Sequence, residues 1–597
     1  MSDFLIKNNS FKLLLRLWSH LNAHRKKQTL FLTILIVISA LTEALSIGAI
    51  FPFLGAIANP EKLNGVPFFG SFLVRLGINL SDPPLLKMLL LFVFLAIFAC
   101  LMRILVLRFG ANVTFGIGKD LSESIFSKIL HQDYKVHTSR NSSLVIDAIS
   151  GKVNSVIYSS ISPALIIVSS FAIFFSIIFI LLTVNPLITF ISFGLFSFAY
   201  SILILYIRKK ILLNGRTIAD KSTQTIKILQ EGLGGIRDII LLGAQDIFCK
   251  KFLNANNALR DAQADNLFIS QVPKYPMEAV GMLMIAGAAY FFSEQPGGIE
   301  DVLPMLALLA LSAQRLLPVL QQAYGSWSNI CGGEASLIDI LDLLDQVENI
   351  DRGQITHSIL PFSKEIQLDN IWFRYQDDQM WVLQGLNLTI KKGDRIGFIG
   401  ETGSGKSTVI DIIMALLRPT KGSIFVDHTI INQSNSREWQ VQIAHVPQEI
   451  FLVDGSVEQN IAYGVPEDKI DEALVRDAAA RASIASDIQN WPNKYKTIVG
   501  ERGSKLSGGQ RQRIGIARAL YRKASIIVMD EATSALDGAT EKEVMGSIEG
   551  LKSDVTVLII AHRLSTLKNC NRIFEIGKNG ARQIEVKEDS YNGFNHR

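Results

Sequence analysis

Eight consecutive residues, Gly400-Glu401-Thr402-Gly403-Ser404-Gly405-Lys406-Ser407, fit the pattern G-x-x-x-x-G-K-[ST]. The chemistry of that pattern is phosphate binding. Its glycines let backbone N–H groups turn toward phosphate oxygens with no Cβ in the way. Lys406 brings a point charge to the β- and γ-phosphates, and Ser407 brings a hydroxyl to Mg²⁺. The loop works only between a strand and a helix, and the sequence predicts both: RIGFI at 395–399 before it and a helical run from Thr408 after it. A second apolar strand, Ile526-Ile527-Val528-Met529, ends in Asp530-Glu531. An aspartate there holds Mg²⁺ directly or through water, and a glutamate directly after it orients or deprotonates an attacking water. A structural acidic pair at a strand end is the plain alternative, and beside a phosphate loop it is the weaker one. Between these motifs lies Leu506-Ser507-Gly508-Gly509-Gln510, followed by Arg511-Gln512-Arg513. Taken alone it is a Ser/Gly turn opening a helix, a start that favours anions.

The chain that must position these residues has 597 of them, too many for one ordinary domain. Lys+Arg is 59 and Asp+Glu is 54, so a net charge of +5 gives no support to nucleic-acid binding. The charge is uneven. About a quarter of residues 361–597 are charged, as in a soluble domain, against about 15% of residues 1–360. The four cysteines, Cys100, Cys249, Cys331 and Cys570, are widely spaced and suggest neither a zinc site nor a disulfide framework. Six apolar stretches, near 30–54, 84–109, 157–183, 187–206, 267–292 and 300–323, each reach the ~20 residues a membrane helix needs. Lys and Arg crowd the segment before the first stretch and the connections 113–156 and 207–266, and are missing from the loop 293–299. That places the N-terminus, both long connections and the C-terminal part in the cytoplasm, in the plasma or inner membrane. Both connections carry helical patterning, so the membrane helices are expected to continue outward and to be joined by short transverse helices near 130–142 and 216–230. Residues 11–22, FKLLLRLWSHLN, predict an amphipathic helix lying on the membrane surface. The expected organisation is an N-terminal segment 1–28, a six-helix membrane domain 29–340, a linker 341–364, a nucleotide-binding domain 365–585 and a polar tail 586–597.

The segment LSGGQ, placed between a phosphate loop and MDEATSALD, resembles the ATP-binding-cassette (ABC) ATPases. The resemblance extends residue by residue. Tyr375 matches the aromatic that stacks on adenine, Gln448 the glutamine that senses Mg²⁺ and water, and Ser534-Ala535-Leu536-Asp537 the loop connecting two sites of a dimer. His562 matches the switch histidine at the γ-phosphate, and Val499-Gly500-Glu501-Arg502-Gly503 an exporter segment near the transverse helices. The resemblance implies an α/β phosphate-loop fold in which Glu531 and His562 are catalytic. Tyr375, Gly400, Thr402, Gly403, Ser404, Gly405, Lys406, Ser407, Thr408, Gln448, Ser507, Gly508, Gly509, Gln510 and Asp537 bind ATP, and Ser407, Gln448 and Asp530 hold Mg²⁺. Two cassettes close head to tail, the phosphate loop of one and LSGGQ of the other enclosing each ATP. With one cassette and six membrane helices per chain, a homodimer is the economical expectation, and a heterodimer remains open.

Six helices followed by a cassette resemble an ABC exporter half-transporter, with Glu231–Asp238 similar to the segment just after the second transverse helix. The intramembrane charges Glu43, Arg103, Lys274, Glu278 and Arg315 are costly in a bilayer and are functional candidates by default. Their contexts resemble exporters that flip lipid-linked oligosaccharides, in which basic residues engage the pyrophosphate. Arg103, Lys274 and Arg315 match such positions, although Lys274 stands where that group has arginine. Arginine grips a pyrophosphate bidentately and lysine meets it as a point charge. The same five charges pairing with one another to hold the bundle together is the structural alternative. Export of another amphiphile (a lipid, drug or peptide) and a non-transporting ABC channel or regulator stand behind the lipid-linked glycan reading.

Overall fold

The structure, a computed structural model, describes residues 10–49, 84–184, 186–293, 298–346, 359–376, 378–532, 536–550, 554–561, 567–568, 570–577 and 580–584. The chain divides into two units, Met1–Gln132 with Arg140–Glu348, and Asp133–Ser139 with Asn349–Arg597.

The first unit is helical. It runs α1 (Ser10–His20), α2 (Ala23–Gly48), α3 (Pro84–Leu130), then, after α4 (Tyr134–Ser139), α5 (Ser142–Asp147). Two π-helical turns, Ala148–Lys152 and Ile157–Ile161, flank one α-helical turn, Val153–Val156, before α6 (Ser162–Val184). Then come α7 (Pro186–Gly234), α8 (Ile236–Leu241), α9 (Gln245–Gln271), α10 (Lys274–Ser293), α11 (Gly298–Gly332) and α12 (Glu334–Leu344). No proline interrupts α3 or α7 after its first residue, so the i→i−4 ladder continues past the apolar stretches and the helices reach 47 and 49 residues. At 1.5 Å per residue each is roughly 70 Å long, more than twice a ~30 Å bilayer core. Among the described residues, Ala23–Gly48, Leu89–Leu130 and Ser142–Leu182 are long and apolar enough to cross a membrane.

The helices refine three sequence expectations. The first transverse helix is α4, inside the expected 130–142, and it groups with the second unit. The second is not at 216–230, which is internal to α7. The turn comes later, at α8, where Gly234, Gly235 and Gly243 break the pattern and Gly243 takes φ +62. Glu231–Asp238 therefore enters this turn rather than following it. The expected span 267–292 is divided between α9 and α10, because Pro273 has no N–H to continue the ladder. Lys274 is thereby the first residue of α10 rather than a mid-span residue.

Helix α1 also does more than lie on a surface. Leu13 and Leu17 are buried in a core that includes Leu337, Ile340, Leu341 and Leu344 of α12. Arg16 fixes the pairing, its Nε donating to Asp345 Oδ2 at 2.7 Å and its Nη2 to Asp342 Oδ1 at 2.9 Å. Phe11, Leu15 and Trp18, on the other side, stay exposed.

Helices α7 and α11 meet at Gly215, where an added Cβ would stand 2.3 Å from the Gly332 carbonyl oxygen. Neither backbone can yield without moving a whole helix. Gly215→Val is therefore expected to cost about 1–3 kcal/mol and to lower the melting temperature in detergent by several degrees. Gly194→Ala, with nothing within 4 Å of the new Cβ, serves as the control and leaves the midpoint unchanged or higher. Equal midpoints for the two variants would refute the close packing.

The second unit holds two sheets. The antiparallel one has the order β2 (Leu383–Lys391), β1 (Glu365–Phe373), β4 (Lys421–Val426), β5 (Thr429–Ile430). The other has the order β10 (Gly580–Ile584), β9 (Arg572–Gly577), β3 (Arg395–Ile399), β8 (Thr556–Ile560), β7 (Ile526–Asp530), β6 (Ile443–Val446). In it β9, β3, β8, β7 and β6 are mutually parallel, and only β10 runs antiparallel. Strands β7 and β8 are apolar at almost every position, as a sheet covered on both faces requires. Helix α13 (Lys406–Ile413) follows β3, α14 (Gly508–Tyr521) precedes β7, and α15 (Gly538–Glu549) precedes β8.

Candidate functional site

In an open parallel sheet, ligands bind beyond the carboxyl ends of the strands. Four loops leave neighbouring strands at that edge. The phosphate loop follows β3, Gln448 follows β6, Asp530 and Glu531 end β7, and His562 comes two residues after β8. His562, Ser534 and Ala535 lie outside the described residues.

The loop has the expected strand–loop–helix setting. Gly400, Gly403 and Gly405 take φ of +146, +81 and +97. Two of the three also permit close approach: a Cβ on Gly400 would stand 2.4 Å from the Ile576 carbonyl oxygen, and one on Gly405 2.8 Å from Leu383 Cδ2. Lys406 is buried, its Nζ donating to the carbonyls of Gly400 at 2.7 Å and Glu401 at 2.9 Å. The Ser404 hydroxyl is buried without a hydrogen-bond partner among the described residues. A buried hydroxyl of this kind costs free energy unless a ligand oxygen meets it, and a phosphate supplies one. Ser407 and Thr408 open α13, and the Thr408 hydroxyl lies 3.3 Å from the Tyr375 hydroxyl. Tyr375 stands edge-on to Phe373 at 5.0 Å, so the residue matched to adenine stacking is tied to the phosphate helix.

Glu531 and Gln448 come together: Gln448 Nε2 donates to Glu531 Oε2 at 2.8 Å. Glu531 has φ +49, a left-handed conformation that costs a side-chain-bearing residue energy. Its N–H is pinned to the Ile560 carbonyl of β8 at 3.0 Å, which holds the strained carboxylate at the strand edge. Asp530 sits beside Asp411 of α13, whose carboxyl burial, helped by the Asp530 charge, pushes up to about 6. Ser407, Gln448 and Asp530 offer the hard oxygen donors that Mg²⁺ takes, so the residues present fit that ion.

Ser507 caps α14. Its Oγ accepts from the Gln510 N–H at 3.2 Å while Gln510 Oε1 accepts from the Ser507 N–H at 3.0 Å. This box fixes the helix start and presents Gly508 and Gly509 in its first turn, where N–H groups have no intrahelical partner. Asp537 caps α15, accepting from the Thr540 N–H at 3.2 Å, and hydrogen bonds from the Thr540 hydroxyl and then its N–H hold the carboxyl below the usual range.

In the first unit Arg103 is one half of an ion pair. Its Nε donates to Glu43 Oε2 at 2.9 Å, and Glu43 is buried. This is the pairing that the structural alternative expects. Lys274 is half-buried at the start of α10, its Nζ 6.0 Å from the Tyr275 ring centroid, with no ion pair to another described residue. Arg315 lies in α11, and its side chain is outside the described residues. Sequence reasoning grouped Glu43 and Arg103 with three other charges as mutual partners but did not single out this pair, because a spacing of 60 residues carries no local signal.

The pattern of the ABC transporter transmembrane region matches residues 29–313, and that of the ABC transporter family matches residues 383–534. The chain belongs to the ABC transporters. It has the domain order of an exporter-type half-transporter, one membrane region followed by one cassette. It is 30% identical over 370 residues, 62% of this chain and 63% of the relative, to an ATP-dependent lipid A-core flippase of Chromohalobacter salexigens. It is 30% identical over 415 residues, 67% of each chain, to the protein of the same name from Bordetella avium. The match thus spans a little under two thirds of the first of these relatives. The fold is that of a bacterial Atm1-family ABC exporter solved with ATP bound, with TM-score 0.76 and 23% identity over 94% of this chain and 95% of that one.

Two predictions follow from these pairings. Asp411 binds its proton more tightly folded than unfolded, so folded stability falls as pH rises from about 4 through about 6. Asp411→Asn lacks that loss, and its melting midpoint without nucleotide should exceed the parent's more at pH 7.5 than at pH 4.5; a difference independent of pH would show that the carboxyl is not perturbed. Arg103→Met leaves Glu43 buried and unpaired, at a cost of about 3–5 kcal/mol. Glu43→Gln in the same chain should recover most of the lost midpoint, and additive losses would exclude the pairing.

Proposed function

We propose that this chain is an ATP-hydrolysing exporter that acts as a homodimer and flips a lipid bearing a phosphorylated glycan from the cytoplasmic leaflet. The observation that carries the ATP-driven part is the convergence of Lys406, Ser404, Gln448 and Glu531 at one edge of the parallel sheet. The loop's N–H groups and Lys406 hold the phosphates, and Tyr375 supports the base. Mg²⁺, held by Ser407, Asp530 and Gln448, neutralises charge on the phosphates when bound. Glu531 accepts the proton of the attacking water, and the hydrogen bond from Gln448 keeps that carboxylate oriented. Catalysis here is positioning and charge stabilisation. As the resemblance to the ABC ATPases implies, the helix start capped by the Ser507–Gln510 box serves the ATP of a second copy.

For the cargo, the lipid-linked oligosaccharide class rests on the contexts of Arg103, Lys274 and Arg315. Of these, Lys274 is the described cation that faces no carboxylate partner, and it suits a phosphate as a point charge. The names of the flippase relatives favour a second reading, a lipid A-core type glycolipid. Both carry phosphate on a sugar-bearing lipid.

The test is ATP-dependent flipping in liposomes of two fluorescent probes, a polyprenyl-pyrophosphate oligosaccharide and a lipid A-core glycolipid, with Glu531→Gln as control. Glu531→Gln should retain ATP binding and lose at least 100-fold in turnover. Flipping of the first probe alone supports the lipid-linked glycan, and of the second alone the glycolipid. Healthy turnover with neither probe moved rejects this cargo class, and near-normal turnover by Glu531→Gln removes that residue from catalysis.

A further inference from the structure

Away from the nucleotide site, three helices of the membrane half meet around a buried charge. Asp147, at the end of α5, has a side chain with 0% exposure. Its Oδ1 accepts from the Ser222 hydroxyl at 3.0 Å and its Oδ2 from the Thr223 hydroxyl at 2.5 Å, both on α7. Lys152 Nζ lies 3.9 Å from Asp147 Oδ2 and 2.5 Å from Asp339 Oδ2 on α12.

The arrangement is built by an irregular backbone. Residues five apart on an α-helix point about 140° apart at 100° per residue. A π-turn closes i→i+5 and stacks them. The turn Ala148–Lys152 is such a turn, with the Val153 N–H bonded to the Ala148 carbonyl, and it swings Lys152 toward Asp147. Gly151 makes room for the carboxylate: a Cβ there would stand 2.5 Å from Asp147 Oδ1.

A buried ion cluster is a weak device for stability alone, because desolvation cancels most of the attraction. It is a strong device for making one arrangement of three helices distinct from another, since a shift of any one strands a buried charge. Lys152 stands between a fully buried carboxylate and one with 44% exposure, so its ammonium has two partners of different solvation to choose between. Chain connectivity links both to the cassette unit. Asp147 follows by eight residues the segment ending at Ser139, which groups with the cassette, and α12 leads directly into residues 349–597.

We propose that Lys152 is a positioning residue for coupling: with Asp147, Thr223 and Asp339 it passes the nucleotide state of the cassette to the membrane helices. This inference rests on the ATP-driven reading above, and its test does not depend on the cargo. Hydrogen exchange is followed on the full-length protein in lipid nanodiscs, in the Glu531→Gln background, with and without ATP. In that parent, ATP is expected to protect 400–408 and to change exchange across 142–161 and 334–344. Lys152→Met keeps the protection at 400–408 and reduces the change at 142–161 and 334–344 at least five-fold. Lys152→Arg restores it, and Asp339→Asn, which alters only the half-exposed partner, gives a partial loss in a chain under less folding stress. A full response in Lys152→Met overturns the proposal, as does a loss that Lys152→Arg fails to restore. A parent in which ATP leaves 400–408 unprotected instead removes the ATP-driven reading, and the coupling role with it.

Discussion

A triphosphate is held in water by many hydrogen bonds, and a protein that binds it must replace them without long, mobile side chains. Backbone N–H groups do this, but only where the chain bends into conformations that residues with a Cβ avoid. The three positive φ angles of Gly400, Gly403 and Gly405 meet that demand, and much of the cassette follows from it. The loop needs β3 behind it and α13 ahead of it. Parallel pairing of β3 with β8, and of β8 with β7 and β7 with β6, then places Gln448, Asp530 and Glu531 at the same edge. Apolar β7 and β8 supply the rigidity that keeps Glu531 in its strained conformation.

The membrane half obeys a different constraint. Charge is expensive there, so each ionised group needs either a partner or a purpose. Glu43 and Arg103 satisfy each other across α2 and α3. That pairing changes what Arg103 can contribute to a cargo: to grip a phosphate it would have to release a buried carboxylate. Lys274 has no carboxylate partner among the described residues. Its place at the first position of α10 adds the positive end of a helix dipole to its own charge.

The nucleotide site was legible because phosphate chemistry tolerates little variation in spacing. The G-x-x-x-x-G-K-S loop and the acidic pair at the end of β7 were located from residues alone and Gln448 through the resemblance to the ABC ATPases, and the structure brings them to one edge. The hydrogen bond between Gln448 and Glu531 was not legible, since it joins residues 83 apart. In the membrane half, hydropathy and helical patterning indicated long helices, while the turns were not legible. The run 216–230 contains no breaker, and the chain waits for Gly234 and Gly235 before turning. Pro273 divides a stretch that hydropathy reads as continuous, because the average over a window hides one missing N–H. Helix α1 showed one amphipathic pattern, yet Leu13 and Leu17 are buried while Phe11, Leu15 and Trp18 are exposed. Two apolar stripes on one short helix look the same in sequence as one broad stripe. The Asp147–Lys152 contact was illegible in principle, for α-helical spacing points the two residues apart and only the π-turn joins them.

Helix α12 shows how the two halves of the problem meet. Its apolar residues Leu337, Ile340, Leu341 and Leu344 are all buried, which fixes its distance from its neighbours and narrows its freedom to slide. Its polar groups remove that freedom. Glu334 accepts from the Ser10 hydroxyl at 2.7 Å, Asp339 from Lys152 at 2.5 Å, and Asp342 and Asp345 from Arg16. The Leu344 carbonyl accepts from Lys128 of α3 at 2.5 Å. These partners come from α1, α3 and the π-turn after α5, so a slide of one helical turn would misalign all of them together. Apolar packing limits register through shape, and hydrogen-bonded charge limits it more sharply through direction and distance. The segment that leads into the cassette is therefore set in register by ionic contacts on several sides, and a displacement of any of those elements must be shared by the rest.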